Sequence, residues 1–126
     1  MKYPKEFPPS LDGNVDTFLV WVQEFEDFCN LHGCFPAISN KVKVNTKNSF
    51  EEFSRARRRG VSVIDFKRAM VARWALLKAS KEPKFRSILD QEGVPHRAYR
   101  AICEMFRLNS ATRTSILSRK FAILDL

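Results

Sequence analysis

The stretch HRAYRAICEMFRLNSATRTSILSRKFAILDL, residues 96–126, contains two runs of apolar side chains at helical spacing. Between them lies a short polar break, after which the periodicity restarts. Pro95 suits the first turn of the earlier helix, and Asn109 or Ser110 can cap the later one. This stretch therefore predicts a helical hairpin with one apolar face and one basic face. Its apolar positions are Tyr99, Ile102, Cys103, Phe106, Ile116, Leu117, Phe121 and Leu124.

Upstream of the hairpin, four more segments combine a helix start signal with apolar residues at spacings of three and four. Each opens at a capping residue or a proline, and glycines close three of them. Together with the hairpin they give five or six helices without an internal repeat, which predicts a single compact all-α bundle. The four segments begin near Asn14 or Asp16, Ser49, Ser62 and Pro83, and end near Gly33, Gly60, Ser80 and Gly93, respectively.

The chain divides into an arm and a helical body. Residues 1–12 include three prolines, which disfavour helix, so we expect an extended arm there. Residues 13–126 form the all-helical domain, in which residues 35–60 are interpreted as a basic insertion or loop with one short helix. The alternating stretch KVKV at residues 41–44 is compatible with a short strand. A loop or frayed helix is favoured, because an isolated strand would have no partner.

One hydrophobic core is predicted from the first helix, the helix that begins at Ser62 and the closing hairpin. The apolar stripe of the helix that begins at Ser62 comprises Phe66, Met70, Val71, Trp74 and Leu77. The predicted core comprises Phe18, Trp21, Phe25, Phe28, Trp74, Leu77, Tyr99, Ile102, Phe106, Leu117 and Phe121.

Composition limits the class of protein. With 44% hydrophobic residues, 11 Phe and 2 Trp among 126 residues, the chain is typical of a globular domain rather than a disordered one. No apolar run reaches the roughly 18 residues that a membrane span needs, and the first residues lack a hydrophobic signal region. Three cysteines, an odd number, indicate reduced thiols. We therefore expect a cytoplasmic protein, or a nuclear one, with no membrane partner.

The net charge of +8 is unevenly distributed. Residues 1–40 carry two basic and six acidic side chains, whereas residues 41–126 carry 20 basic and eight acidic ones. Such asymmetry favours either head-to-tail contact between copies of the chain or a polyanionic partner for the basic side. The third interpretation of the uneven charge is that the charged surface serves only to keep the protein in solution.

The residues that usually carry chemistry do not form a recognisable site. Cys29, His32 and Cys34 are close in sequence, but a structural zinc site needs four ligands, and the remaining candidates, Cys103 and His96, lie on or beside a distant helix. Nucleophilic catalysis needs an activating base that is itself oriented, and neither histidine lies in such a motif. The four glycines are isolated, so no phosphate-binding loop is present. We predict no enzyme activity, no cofactor, no metal and no small-molecule substrate.

The run RARRR at residues 55–59 is the sharpest charged feature. Guanidinium groups match phosphate geometry, so this run could contact RNA or act as a nuclear import signal. A solvated helix end, where cations suit the helix dipole, is the favoured explanation. The candidate nucleic-acid-binding residues are Lys41, Lys43, Arg55, Arg57, Arg58 and Arg59.

Two signatures in this sequence resemble the N-terminal part of the Gag proteins of copia-type retrotransposons, which are capsid-forming polyproteins. Near the start, an apolar-Asp-Gly turn precedes an aromatic helix, and near the end an aromatic helix precedes a Ser-x-x-Arg step and a Leu-rich helix. The opening signature comprises Phe7, Leu11, Asp12, Gly13, Asn14, Phe18 and Trp21. The closing signature comprises Ala98, Tyr99, Ile102, Phe106, Ser110, Arg113, Leu117, Phe121 and Leu124.

The resemblance implies an all-helical capsid domain that self-associates into a virus-like shell and packages RNA. The opening Asp-Gly motif also occurs in the related gypsy-type Gags, so both lineages stay open. The link after the first helix is longer here than in the family, and no zinc knuckle or protease motif is present. Two alternatives remain, namely a basic helical domain that binds RNA or DNA, and a host adaptor derived from Gag that binds a partner helix.

Overall fold

The computed structural model describes residues 3–39, 41–42, 44–46, 54 and 62–107, and within them it contains helices but no β-strand. The all-α prediction is therefore confirmed. The later helix of the closing hairpin lies outside the described residues, as does the predicted helix near residues 49–60 apart from Ser54, which is helical. The described helices are α1 (Val15–Leu31), α2 (Phe35–Ile38), α3 (Val63–Ala79), α4 (Pro83–Gln91) and α5, which covers residues 95–107.

Helix α1 begins at a turn in which two side chains satisfy backbone donors. The Asn14 side chain accepts a hydrogen bond from the Asp16 amide at 2.9 Å, and the Asp12 carboxylate accepts one from the Asn14 amide at 2.9 Å. The Thr17 hydroxyl also donates to Asp12. At the other end, Gly33 adopts a positive φ of 74°, a conformation that suits glycine just past a helix. Both predicted ends of the helix are thus confirmed.

Helix α3 begins where the sequence predicts, but it buries a different face. The Ser62 hydroxyl accepts a hydrogen bond from the Asp65 amide at 3.1 Å, as expected of an N-cap. The bulky residues of the predicted stripe are only half-buried, except Phe66, which is buried. The centre of the molecule is instead filled by a face of small residues, which lets neighbouring elements approach the backbone of α3 closely. The fully buried residues of this face are Ala69, Ala72, Ala75, Leu76 and Ala79.

Aromatic side chains from α1 and α5 form the other half of the core. Phe25 is fully buried, and its ring lies 4.8 Å from that of Trp21 and 5.7 Å from that of Tyr99. Phe106 stacks on Phe18 with 4.2 Å between ring centroids. Of the predicted core, Trp21, Phe25, Phe28, Tyr99, Ile102 and Phe106 are buried, Phe18, Trp74 and Leu77 are half-buried, and Leu117 and Phe121 lie outside the described residues.

The segment before α1 is extended and crosses the molecule from α3 to α1. The Leu11 amide donates to the Ala79 carbonyl at 2.9 Å, and the Leu11 side chain is buried. The indole nitrogen of Trp21 donates to the Pro9 carbonyl at 2.9 Å. Tyr3 and Phe7 both stack on Trp74, with ring centroids 5.6 and 6.5 Å away. These contacts connect α1, the segment and the C-terminal half of α3.

The chain after α1 packs against the helices without forming a strand in its described part. Helix α2 contacts both α1 and α3. Val42 and Val44 are buried while Lys41 is exposed, so the alternation of the sequence is seen as alternating burial along this packed segment. Thr46 is buried, and both its amide and its hydroxyl donate to the Gly93 carbonyl at 2.8 Å.

We expect Gly13→Ala to lower the free energy of unfolding by about 1–2 kcal/mol, because a left-handed conformation costs roughly that much in a residue with a Cβ atom. Gly13 has a φ of 80°, and a Cβ atom there would lie 2.7 Å from Oε1 of Glu82. Gly33→Ala is the matched control, since its φ is 74° but its surroundings are open. Denaturant titration should show losses of similar size for both variants, because the Glu82 carboxylate is the far end of a flexible side chain and can move away; a much larger loss for Gly13→Ala would mean that Glu82 is held in place.

The Asp12 carboxylate should make acid stability depend on the α1 turn. Hydrogen bonds from the Asn14 amide and then the Thr17 hydroxyl lower the pKa of Asp12 below its ordinary value. Its contribution is therefore complete above the pKa of the unfolded chain and is lost as the pH falls through the lower folded pKa. An NMR titration of the Asp12 carboxyl carbon should give a midpoint below that of an aspartate in an unstructured peptide. A midpoint at or above that reference would contradict the cap geometry.

Candidate functional site

The outer side of α1 combines exposed apolar and acidic side chains. Leu19 and Val20 are 77% and 58% exposed, although both are large hydrophobic residues. Glu24 and Asp27 are exposed on the same side, one and two turns further along, and α1 contains no basic residue. We call Leu19, Val20, Glu24 and Asp27 the acidic face. Exposed apolar side chains next to acidic ones suit a binding surface.

The first two turns of α3 have the opposite character. Val63 and Ile64 are 42% and 61% exposed, and Lys67 is exposed one turn later on the same side. Arg68 is half-buried and lies 3.3 Å from Asp65 in an ion pair that is itself open to solvent. We call Val63, Ile64, Lys67 and Arg68 the basic patch. The arm covers the C-terminal half of α3 through Trp74 and leaves this patch uncovered by the described residues.

Several other cations have structural tasks. Arg73 donates to the carbonyls of Leu89 and Glu92 at 3.1 and 3.3 Å, which satisfies the end of α4. Arg86 donates to the Ser80 carbonyl at 2.6 Å. By contrast, Arg97 and Arg100 on α5 are exposed and form no ion pair with the part of the chain that is described.

The candidate nucleic-acid-binding residues are largely outside the described part of the chain. Lys41 is described and exposed, whereas Lys43 and the arginines of residues 55–59 lie outside it. The structure therefore does not bring these predicted residues together, and they stay a sequence-based prediction. Arg97 and Arg100 belong to the predicted basic face of the closing hairpin, but they were not among these candidates, although their spacing of three was visible in the sequence.

A shallow pocket of about 200 Å³ lies between the arm and α3. Two of its polar side chains are already engaged, since Arg73 binds the end of α4 and Thr46 binds Gly93. Stacking of Tyr3 on Trp74 forms one side of it. Without convergent polar groups that are open to a ligand, the pocket is explained by the packing of the arm. The lining residues are Tyr3, Thr46, Met70, Arg73, Trp74 and Leu77.

The thiols near the end of α1 are packed inside the molecule. Cys29 and Cys34 are both fully buried. A hydrogen bond between the two side chains, together with burial, raises the pKa of Cys29, and the same hydrogen bond lowers the pKa of Cys34. The neighbouring His32 ring contacts Glu6 at 2.7 Å on the surface. In the described ranges, no group of three or more His, Cys, Asp and Glu side chains is arranged to hold a metal ion.

One acidic side chain of α1 differs from its expected exposure. An acidic residue next to Glu24 and Asp27 is expected to be solvated, but Glu26 is half-buried and accepts a hydrogen bond from the Tyr99 hydroxyl at 3.2 Å. Burial of the phenol, and then the negative charges nearby, raise the pKa of Tyr99. The acidic face therefore lies on one side of α1, and Glu26 connects α1 to α5.

No described helix is long and apolar enough to cross a membrane. No protein-family model, curated protein or solved structure matches this chain. The resemblance to Gag proteins thus depends on the two signatures in the sequence alone.

Proposed function

We propose that this chain is a Gag-like capsid domain whose copies associate into a virus-like shell around retroelement RNA, in the cytoplasm. The observation that carries the proposal is the pair of oppositely charged surfaces with exposed apolar residues on α1 and α3 of an all-helical body. Such surfaces suit contacts between copies of one chain.

The opening signature supports the proposal in a second way, because its residues work together. Leu11 is buried beside Ser80, Asp12 and Asn14 cap α1, and Trp21 fixes the arm through Pro9. Gly13 provides the turn between them. These contacts fix the start of α1 and the path of the arm before it. A sequence signature shared by a family is expected to encode such a local structure.

A shell-forming domain needs only weak contacts between neighbours. Each copy meets several others, and the contacts add up once the lattice closes. Small exposed clusters such as Leu19 with Val20 are adequate for this purpose, whereas a stable isolated dimer would need a larger interface. The charges around them favour particular orientations and disfavour others.

Electron microscopy of the concentrated protein, with and without RNA, tests this function. The proposal predicts ordered particles or sheets, with RNA lowering the protein concentration at which they form. Uniform monomers under both conditions would contradict it and would favour the host-adaptor alternative.

A basic domain that binds RNA or DNA without assembling is the second candidate, favoured by Arg97 and Arg100, which are exposed on one helix. It requires affinity for nucleic acid that falls steeply with salt, because counterions are released on binding. Changing Arg57, Arg58 and Arg59 together to alanine removes up to three phosphate contacts. The slope of log affinity against log salt concentration should then become shallower by about 3. Binding that does not respond to salt would reject this candidate.

A further inference from the structure

We propose that the acidic face of one copy docks on the basic patch of a second copy, so that the chains join head to tail. This inference rests on the proposed self-association and specifies which two surfaces meet. The occupant of each surface is another copy of the same chain.

The acidic face has the composition of an interface rather than of a solvated helix side. Leu19 is 77% exposed, more than any other large hydrophobic residue that is described. Leu19 and Val20 point away from the buried side of α1, which is formed by Trp21, Phe25 and Phe28. No described element packs over them, so they lose apolar exposure only when something else binds.

The basic patch complements the acidic face in charge, and its apolar and charged residues follow in the same order along the helix. Each has two adjacent apolar residues at one end, Leu19 with Val20 on α1 and Val63 with Ile64 on α3. On α1 the acidic residues follow one and two turns further along the helix, and on α3 the basic residues follow one turn further along. When two such helices lie side by side in parallel, the apolar pairs meet and the charges pair.

Charge complementarity is the reason that a second copy is the favoured occupant. Helix α1 carries four carboxylates and no basic residue, whereas α3 carries four basic residues and one carboxylate. A partner with the same sequence therefore supplies the matching surface for each of the two faces. Because the surfaces differ, the contact is heterologous, and it leaves one acidic face and one basic patch free to continue the assembly.

Charge reversal with mixing tests this pairing. One variant carries Glu24→Lys and Asp27→Lys on α1, and the other carries Lys67→Glu and Arg68→Glu on α3. Each variant alone brings like charges together, so its self-association should weaken roughly a hundredfold. Mixing the two variants restores opposite charges at every contact, and association should recover. Light scattering over a concentration series measures the mean mass in solutions of each variant and of their mixture.

Two further variants test whether the effect is local. The first controls for net charge, and the second tests the apolar contact. Arg97→Glu with Arg100→Glu changes the net charge as much as Lys67→Glu with Arg68→Glu, but it lies on α5. This control should leave association in the absence of RNA nearly unchanged. Leu19→Ser should weaken association without changing the melting temperature, since Leu19 is largely exposed. Thermal unfolding of each variant verifies that the monomers are folded.

The outcomes distinguish this inference from the function on which it rests. If the wild-type chain never associates, the proposed function fails as well. If it associates but both reversed variants associate equally, the function stands and this pairing is wrong. A reversed α1 that destabilises a monomer of unchanged mass would show that the acidic face is covered within one chain, which also overturns the pairing. Loss in each variant with recovery on mixing supports it.

Discussion

Trp21→Ala is expected to lower the free energy of unfolding by about 3–5 kcal/mol, as the loss of a buried aromatic side chain does. Trp21 is buried, and its ring lies 4.8 Å from that of Phe25 and 6.1 Å from that of Phe18. It also fixes the arm, because its indole nitrogen donates to the Pro9 carbonyl. The substitution therefore removes core contacts and the anchor of the arm together. Urea unfolding followed by circular dichroism measures the loss.

Trp21→Phe separates these two contributions. The smaller ring retains much of the aromatic packing but cannot donate to Pro9, so we expect a loss of about 1–3 kcal/mol for the unpaired carbonyl and the reduced volume. A midpoint unchanged by Trp21→Ala would contradict the assignment of this residue to the core.

Ala75→Leu is expected to lower the free energy of unfolding by about 1–3 kcal/mol, because the small-residue face of α3 has no room for a larger side chain. Ala75 is fully buried, as are Ala69, Ala72 and Ala79. Leucine has a similar helix propensity, so intrinsic helix stability changes little. Thermal and urea unfolding should both show the loss.

Ala101→Leu on α5 is the matched control, since Ala101 is exposed and the same atoms are added there in solvent. We expect a change within about 0.5 kcal/mol for this surface position. Equal effects at residues 75 and 101 would mean that the small-residue face is not closely packed.

Much of the fold follows from local sequence signals. The side chains of Asn14 and Ser62 accept hydrogen bonds from backbone amides two and three residues further along. These local bonds fix the starts of α1 and α3. The aromatic residues of α1 and α5 are large enough to dominate burial, and six of the predicted core residues are buried. Helix α4 was predicted from Pro83 and the apolar residues that follow it, and it occupies Pro83–Gln91.

The buried face of α3 could not be predicted in the same way. Met70, Trp74 and Leu77 give the strongest apolar periodicity, yet they are only half-buried. The alanines are weakly hydrophobic, and their burial is decided by how closely α2 and the other elements approach α3. Glu26 illustrates the same limit, because only the tertiary position of Tyr99 explains its burial.

The candidate site was predictable in outline and not in detail. The excess of acidic residues before residue 40 indicated opposite surfaces, and α1 and α3 now provide them. Leu19 and Val20 were not singled out, although both fall outside the phase of the aromatic stripe of α1, which was a usable signal. Ile64 is 61% exposed, and only tertiary packing decides which face of α3 is covered.

Sedimentation velocity of the wild-type chain over a range of concentrations, with and without RNA, tests self-association most directly. The account predicts a mass that rises with concentration from that of one chain to that of large assemblies, and a rise that is suppressed by high salt. A single species with the mass of one chain at every concentration, with and without RNA, would contradict it.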